Sequence, residues 1–209
     1  MALLTYSDLQ TQIGNWLERA DLAAIIPDFV TLFEAHVNRR LRVRQMEAQA
    51  TLTTSGGIAT IPSDYLVYRS VTWDGDTPRE LSYAEPTWFR AYFAVTEDDD
   101  PNITGTPTIW TIDQGNVFSC MPIDDTADIL FRYYQKIPAL SSGVNWLYAA
   151  HPDVYLFGCL VEAQAFVLNA DRALMFKARR DEIMGEIEKL GAMTQAGIGG
   201  PIRPMGWIV

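Results

Sequence analysis

The sequence contains few of the residues on which catalytic and metal sites depend. Among its 209 residues are two histidines, His36 and His151, and two cysteines, Cys120 and Cys159. The signature motifs of hydrolases, zinc proteases, thiol oxidoreductases and nucleotide-binding folds are absent. Lone histidines and cysteines are more often structural than reactive, so we expect reduced, buried cysteines and no catalytic, cofactor-binding or metal-binding residue. The sequence therefore disfavours an enzyme.

Long hydrophobic runs are also absent. The longest apolar run, Val154–Val161, has eight residues, whereas a membrane-spanning helix needs about 20. The opening segment Met1–Asp8 has neither the basic region nor the apolar stretch of a signal peptide. We therefore expect no membrane partner and no export, and we expect the chain to be cytoplasmic when it is synthesised.

Basic residues are scarce relative to acidic ones. The chain has 16 lysines and arginines against 26 aspartates and glutamates, which gives a net charge of −10. Most of the excess lies in residues 47–150, which carry fourteen acidic and five basic side chains. Static binding to nucleic acid requires lysine and arginine at the phosphates. The charge distribution therefore disfavours a nucleic-acid-binding protein.

The residues that are present predict a folded chain that begins with helices. Hydrophobic residues make up 48% of the sequence and charged residues 20%, which is the balance of a globular protein. Ser7 and Gln10 form a predicted capping box for a first helix, and Pro27 opens a second. We assign residues 1–46 to these N-terminal helices. Their apolar positions recur at helical spacing, as Leu9, Ile13, Trp16 and Leu17 in the first helix and Phe29, Phe33, Val37 and Leu41 in the second.

The hydrophobic pattern changes to alternation in residues 47–150, which we assign to an inserted, mainly β domain. The turn residues Ser55–Gly57 and Asp113–Gly115 each separate two short runs, and both arrangements predict antiparallel hairpins. The segment Ile129–Gln135 alternates two sets of side chains and predicts a further strand. One short helix is predicted at residues 85–93, ahead of an acidic loop.

Helical signals return in residues 151–195. Pro152 opens a helix that we expect to end near Asn169, and Asp171 is expected to cap another helix. The last residues, 196–209, are rich in glycine and proline and predict a tail without regular structure. The buried stripe of the last helix is predicted to comprise Ile183, Ile187 and Leu190.

Helices at both ends of the chain predict how the protein closes its core. Two helices at one end cannot enclose a core, whereas a bundle of four can. We therefore predict an α+β fold, in which a helical bundle formed by the N- and C-terminal helices carries an inserted small antiparallel β domain and an extended C-terminal tail.

Two groups of residues are candidates for contacts with partner proteins. A basic cluster ends the second helix, and it either binds phosphate or an acidic neighbouring subunit, or complements the negative end of its own helix dipole. The tail ends in apolar residues that either dock into a groove of another protein or fold back on the same chain. The candidate interface residues are Arg39, Arg40, Arg42 and Arg44 in the cluster and Met205, Trp207, Ile208 and Val209 in the tail.

Two other functions remain open at this point. The aromatic residues of the central domain, among them Trp73, Trp88 and Trp110, are compatible with a carbohydrate-stacking platform, although cores and interfaces also favour aromatics. The paired carboxylates of a cell-wall hydrolase would be invisible in a sequence. Asp98–Thr104 places oxygen-bearing side chains at alternate positions, but it lacks the glycine and the glutamate of a calcium loop, so we assign no metal to it.

Several segments of the sequence resemble one known family. Their order and spacing are similar to those of bacteriophage head-to-tail adaptor proteins over most of the chain, up to about residue 190. No single segment is diagnostic, and the resemblance depends on all of them together. They are Thr5–Leu9, Trp16–Leu17, Ile26–Val30, Glu34–Ala35, Asn38–Met46, Gly105–Pro107, Trp110, Pro122, Tyr133–Tyr134, Pro138–Ser141, Asn145–Leu147 and Pro152–Gly158.

The resemblance implies a structural protein of the virion that forms a ring, usually of twelve copies, beneath the portal of a DNA-filled capsid. It implies contacts with further copies of the chain, with a portal protein, and with a tail or nozzle protein. DNA would pass through the bore only in transit, and an acidic wall is compatible with that passage. Assembly would take place in the host cytoplasm. In such adaptors the helices pack between subunits, the β domain faces the tail, and the C-terminal extension reaches the portal.

Overall fold

The computed structural model of the protein describes residues 3–19, 21–91 and 104–196. The predicted α+β fold class is confirmed. The chain divides into two compact units, which we call the helical unit (Met1–Met46 with Ile137–Val209) and the β unit (Glu47–Lys136). The helices are α1 (Tyr6–Leu17), α2 (Ile26–Arg40), α3 (86–91), α4 (Trp146–Ala150), α5 (Pro152–Phe166) and α6 (Ala170–Ala196).

Helix α1 begins earlier than its predicted capping box. Thr5 has an extended backbone, and its hydroxyl oxygen accepts the N–H of Asp8 at 3.2 Å. The carboxylate of Asp8 accepts the N–H of Thr5 at 3.0 Å. The prediction of a box at Ser7 and Gln10 was wrong, because Ser7 already lies inside the helix. The same reciprocal pairing occurs two residues further towards the N-terminus.

Helix α5 is the centre of the helical unit, and it packs against α1, α2, α4 and α6. It contains the longest apolar run of the sequence, and such all-round hydrophobicity suits a helix that is covered on every side. Gly158 allows α2 to approach closely, because a Cβ atom at this position would lie 2.1 Å from the ring of Phe33. The ring of Phe33 also contacts Tyr155 edge to face, with centroids 5.0 Å apart.

A buried polar network fastens the segment before α5 to the helices. A carboxylate oxygen of Glu34 accepts the N–H of Leu140 at 2.7 Å and the hydroxyl of Tyr155 at 3.3 Å. The side chain of Asn145 donates to the hydroxyl oxygen of Tyr155 at 2.7 Å and to the carbonyl of Pro138 at 2.8 Å. These bonds explain why residues 137–150, which we assigned to the inserted domain, lie in the helical unit.

Helix α6 differs from its prediction at both ends. Helix α5 ends at Phe166, and the side chain of Asn169, rather than that of Asp171, accepts an N–H of the first turn of α6 at 3.3 Å. Ile183 and Ile187 are buried as predicted, but Leu190 is 59% exposed. The buried face continues instead through Gly191, where Val43 approaches so closely that a Cβ atom would lie 2.7 Å from it.

The β unit contains two four-stranded sheets, in the orders β1-β8-β3-β4 and β2-β7-β6-β5. Buried side chains from both sheets form one core cluster, in which Trp110, Phe118 and Phe131 are fully enclosed. The strands are β1 (Glu47–Thr53), β2 (Ile58–Thr60), β3 (Tyr65–Trp73), β4 (Arg79–Glu80), β5 (Ser82–Tyr83), β6 (Ile109–Asp113), β7 (Val117–Met121) and β8 (Asp128–Gln135).

One predicted hairpin is confirmed and another is wrong. The β6–β7 hairpin forms around Asp113–Gly115, and β8 buries Ile129, Phe131 and Tyr133 on one face. The turn at Ser55–Gly57 does not join a hairpin within one sheet, because β1 pairs with β8 while β2 pairs with β7. The short strand β5 runs parallel to β6, so the domain is not wholly antiparallel.

Candidate subunit interface

The predicted basic cluster does not form one continuous surface. Arg40 is engaged within the helical unit, where its guanidinium donates to Glu188 at 2.8 Å and to Asp181 at 3.1 Å. Arg42 donates to the carbonyl of Asn38 at 2.8 Å and so satisfies the end of its own helix. These two arginines stabilise the packing of α2 and cap its end, as the alternative interpretation of the cluster allowed.

Arg39 and Arg44 differ from their neighbours. Both side chains are exposed, and neither makes an ion pair with another residue of the described ranges. They therefore stay candidates for contact with an acidic partner. The other half of the predicted interface, Met205, Trp207, Ile208 and Val209, lies outside the described residues.

The helical unit carries an apolar groove that the sequence did not reveal, and we call it the aromatic groove. The rings of Trp16, Phe157 and Phe176 line it, with centroid distances of 5.9 Å for Trp16–Phe157 and 6.0 Å for Trp16–Phe176. Trp16 is 46% exposed and Met175 is 60% exposed, so the groove is open to solvent. Its volume is about 560 Å³, and Ala178, Arg179 and Glu182 complete the lining.

A second apolar surface lies at the turn between α5 and α6, and we call it the corner patch. Leu168 is 91% exposed and Leu174 is 64% exposed, and Phe166 beside them is 53% exposed. Val161, Ala165, Asn169, Ala170, Ala173 and Lys177 surround them. Neighbouring exposed apolar side chains of this kind are a candidate site for contact with another protein.

The aromatic groove and the corner patch lie on opposite flanks of α6. Met175, Ala178 and Glu182 face the groove, whereas Leu174 and Lys177 face the patch. Phe176 and Arg179 also face the groove, and Ala170 and Ala173 also face the patch. An α-helix turns by about 100° per residue, so the mean directions of the two full sets are roughly 160° apart. The helical unit therefore presents two different apolar surfaces on two sides, and not one surface.

Buried ionisable groups of the helical unit show shifted pKa values that follow from packing. Burial raises the pKa of Glu34, although its hydrogen bonds to Leu140 and Tyr155 oppose the shift. Burial also lowers the pKa of His36, and the nearby charges of Arg180, Arg39 and Arg40 lower it further.

The Nε2 atom of His36 is buried and has no hydrogen-bond partner in the part of the chain that the structure describes. Asp181 raises the pKa of the ring, but less than burial and the three arginines lower it, so the imidazole is a weaker base than a free histidine.

Neither the cysteines nor the acidic residues form a metal site in the described ranges. Cys120 and Cys159 are free and buried, and burial raises the pKa of the Cys120 thiol to about 12. Among residues 3–19, 21–91 and 104–196, no group of histidines, cysteines and acids is arranged to hold a metal ion. The acidic segment Asp98–Thr104 lies outside these residues apart from Thr104.

The aromatic residues of the β unit form a compact set around a buried tryptophan. Tyr68 and Tyr83 are 40% and 48% exposed, and their rings lie nearly parallel with centroids 5.7 Å apart. Trp110, 1% exposed, meets both rings edge to face at 4.8 Å and 5.2 Å. Of the three predicted platform residues, Trp110 is buried, Trp73 is half-buried and Trp88 is 51% exposed, and the Tyr68–Tyr83 pair adds a second exposed aromatic surface.

A comparison with known protein families shows which kind of protein this chain is. The sequence model of the SU10 adaptor protein family matches residues 4–204. The chain belongs to the SU10 adaptor family. Its members are phage head-tail adaptors, so the chain is a structural protein of the virion that binds other virion proteins in a non-enzymatic role. None of the curated proteins compared with the chain matches it.

Membership of the SU10 adaptor family extends the resemblance from about residue 190 to residue 204, into the predicted tail. None of the helices in the described part of this adaptor combines the length and the apolar composition that crossing a bilayer requires. Exposed apolar surfaces on such a protein are expected at contacts with other protein chains.

Sequence reasoning missed both apolar surfaces of the adaptor. Trp16 occupies a position of the predicted apolar stripe of α1, but it lies at the edge of that stripe and contacts α5 and α6. Leu168 follows the end of α5, where the sequence predicted continued helix. One signal was available, because α6 has apolar residues around its whole circumference near its start, which a helix with one buried face does not need.

Proposed function

We propose that the chain assembles into a ring of twelve copies between the portal of a DNA-filled capsid and the tail, and that DNA leaves through the bore of this ring. The observation that carries the proposal is the presence of two different apolar surfaces, the aromatic groove and the corner patch, on opposite flanks of α6. A ring requires a head-to-tail contact, in which each copy uses one surface towards one neighbour and another surface towards the other.

The charges of the two units support a division of roles within the ring. Residues 47–136 carry fourteen acidic and five basic side chains, whereas the rest of the chain carries twelve acidic and eleven basic ones. Copies that meet through the nearly neutral helical unit avoid like-charge repulsion. An acidic β unit does not hold the DNA phosphates, which is what free passage of DNA requires. We assign the β unit to contact with the tail or nozzle protein.

We assign the C-terminal residues Met205, Trp207, Ile208 and Val209 to contact with the portal protein. A buried tryptophan with apolar neighbours supplies several kcal/mol of gross binding free energy, on the order of the values known for interface hot spots. Deletion of residues 197–209 should abolish portal binding while the circular dichroism spectrum and thermal unfolding of the chain stay unchanged. Unchanged portal binding would refute this assignment.

Native mass spectrometry of the purified chain, alone and with a portal protein, tests the ring directly. The expected species in the presence of portal has the mass of twelve chains of 23.5 kDa added to the portal assembly. A matched control replaces Met175 by glutamate, which places a charge in the aromatic groove without disturbing buried residues. A chain that stays monomeric in both samples contradicts the proposal.

A carbohydrate-binding module on the virion or a cell surface is the second candidate function, and the exposed Tyr68–Tyr83 pair favours it. Sugar rings stack on exposed aromatic faces, and Trp110 contacts both tyrosines, so its fluorescence would report binding. Titration with host polysaccharide should leave the fluorescence unchanged if the chain acts only as an adaptor. A saturable change that Tyr83→Ala removes would support the carbohydrate function.

A further inference from the structure

We infer that Leu168 of one copy inserts into the aromatic groove of the next copy, an inference that rests on the proposed ring. Leu168 has the highest exposure of the large hydrophobic side chains in the described residues, at 91%. It lies at the tip of the turn between α5 and α6, where nothing within the described part of the helical unit covers it. Leu168 lines the same surface as Leu174, so its side chain is part of an apolar patch that is available to another chain.

Leucine is an unusual residue for the backbone conformation at position 168. Its φ angle is +58°, in the left-handed region that favours glycine or asparagine. The N–H of Leu168 donates to Ala165 at 3.1 Å, and the N–H of Asn169 donates to Gln164 at 2.9 Å, which is how many helices end. Glycine would make the same bonds without steric cost. The leucine side chain therefore indicates a contact made outside the described residues of its own chain.

The aromatic groove has the shape and chemistry to receive this side chain. Trp16, Phe157 and Phe176 form its walls, and its volume of about 560 Å³ exceeds what one leucine needs, so Leu174 of the corner patch has room beside Leu168. Because groove and patch lie on opposite flanks of α6, insertion of the patch leaves each copy with one free groove and one free patch. Repetition of this contact builds a ring and does not stop at a dimer.

The charges around the two surfaces permit the contact. The corner patch carries Lys177 as its one charged lining residue, and the edge of the groove carries Glu182. Glu182 accepts a hydrogen bond from Arg179 at 2.6 Å, and both side chains are exposed. The incoming lysine thus meets an ion pair with an accessible carboxylate. A second copy of the chain is therefore a compatible occupant of the groove.

Disulfide trapping with a Leu168→Cys, Met175→Cys double variant tests the contact. The two positions are seven residues apart, or roughly 10 Å along a helix, which is too far for a disulfide within one chain. The natural cysteines are both buried and do not compete. Oxidation at high protein concentration should give a ladder of dimers, trimers and larger species on a non-reducing gel. Each single-cysteine variant can link only two copies and serves as the matched control.

The outcomes separate this inference from the ring itself. A ladder that stops at dimers overturns the inference. If native mass spectrometry detects the ring but the double variant gives no ladder, the proposed ring is supported and the proposed Leu168 contact is refuted. A ladder that appears only after deletion of residues 197–209 means that the tail of the same chain covers the surface, and this result also overturns the inference.

Leu168→Gly provides a second, independent readout. The change removes the side chain and suits the positive φ angle, so the thermal stability of the isolated chain should rise slightly. Assembly should weaken on the order of tenfold or more in dissociation constant, because a buried leucine contact is lost. The comparison variant is Leu174→Ala, which should have a smaller effect on assembly. Alanine is used because Leu174 lies inside α6, where glycine would also weaken the helix. Assembly of Leu168→Gly at wild-type strength contradicts the inference.

Discussion

The helical unit and the β unit handle their hydrophobic residues in different ways. In the β unit, Trp110, Phe118 and Phe131 are enclosed between two sheets, and most of the excess negative charge lies on the same unit. In the helical unit, α5 is enclosed by its neighbours, while Trp16 and Met175 remain open to solvent. The β unit thus completes its own core, although side chains such as Ile58 and Trp88 are exposed on it, whereas the helical unit exposes the two apolar surfaces on the flanks of α6.

This difference is the basis on which we propose that the helical unit carries the contacts between copies. Charge of one sign keeps β units apart at close range, and near-neutrality together with apolar surface favours association of helical units. Substitutions in the interior should therefore destabilise the unit in which they lie, and substitutions on the flanks of α6 should change assembly. The following predictions test whether interior and surface substitutions have these separate effects, beginning with the largest expected effect.

Gly158→Ala should destabilise the helical unit by about 3 kcal/mol, because the added methyl group would lie 2.1 Å from the ring of Phe33 and force α2 and α5 apart. Urea denaturation followed by hydrogen exchange of individual segments measures the loss and locates it. We expect faster exchange in α2 and α5 and unchanged exchange in β8. An equal acceleration of hydrogen exchange in β8 would show that the two units unfold together. That result would contradict the separation of the helical unit from the β unit.

Thr54→Val should destabilise the β unit by about 2 kcal/mol, because it leaves buried backbone groups without partners. The hydroxyl of Thr54, which is 2% exposed, donates to the carbonyl of Asp124 at 2.7 Å and accepts the N–H of Ala127 at 3.1 Å. Thr53→Val is the matched control, since the neighbouring Thr53 is exposed. Equal losses for both variants, measured by urea denaturation, would contradict the assignment.

Gly185→Ala should stabilise the helical unit by roughly 0.5 to 1 kcal/mol, because alanine is the better helix former. Gly185 lies inside α6, and a Cβ atom there would have no neighbour within 4 Å among the described residues. It is the same chemical change as Gly158→Ala with the opposite expected sign. A loss of stability in the isolated chain would show that Gly185 is packed more closely than the structure shows.

Glu34→Gln should reduce the pH dependence of the helical unit. Burial raises the folded-state pKa of Glu34, so the stability that the protonated carboxyl contributes at low pH is lost as the pH rises through that raised pKa. Glutamine can accept the same bonds from Leu140 and Tyr155 without ionising. In thermal unfolding, the stability of the variant relative to the wild type should therefore rise as the pH increases above the ordinary pKa of a glutamate. A stability difference that does not vary with pH would contradict this account.

The sequence predicted those parts of the fold that depend on local pattern and turn chemistry. Alternation in Ile129–Gln135 predicted β8, and the turn Asp113–Gly115 predicted the β6–β7 hairpin. The turn at Ser55–Gly57 was misinterpreted because a period of two identifies a strand but not the sheet that it joins. In α6, helical spacing alone could not distinguish the buried Ile187 from the exposed Leu190.

The candidate interface was harder to predict, for a physical reason. Arg40 was correctly identified as part of a basic helix end, but its partners Asp181 and Glu188 are more than 140 residues away in the sequence. The aromatic groove brings together residues from α1, α5 and α6. A local sequence pattern cannot predict contacts between residues so far apart in the chain. The exposure of Leu168 depends on where α5 ends, which the sequence placed three residues too late.

Hydroxyl-radical footprinting of Met175, in the free chain and in the assembled virion, tests the central claim that the flanks of α6 are covered by other copies. Met175 is 60% exposed in the chain alone, and the buried Met184, 1% exposed, provides an internal reference. We predict that oxidation of Met175 falls severalfold in the virion while that of Met184 stays low in both samples. Oxidation of Met175 at the same rate in both samples would contradict the claim.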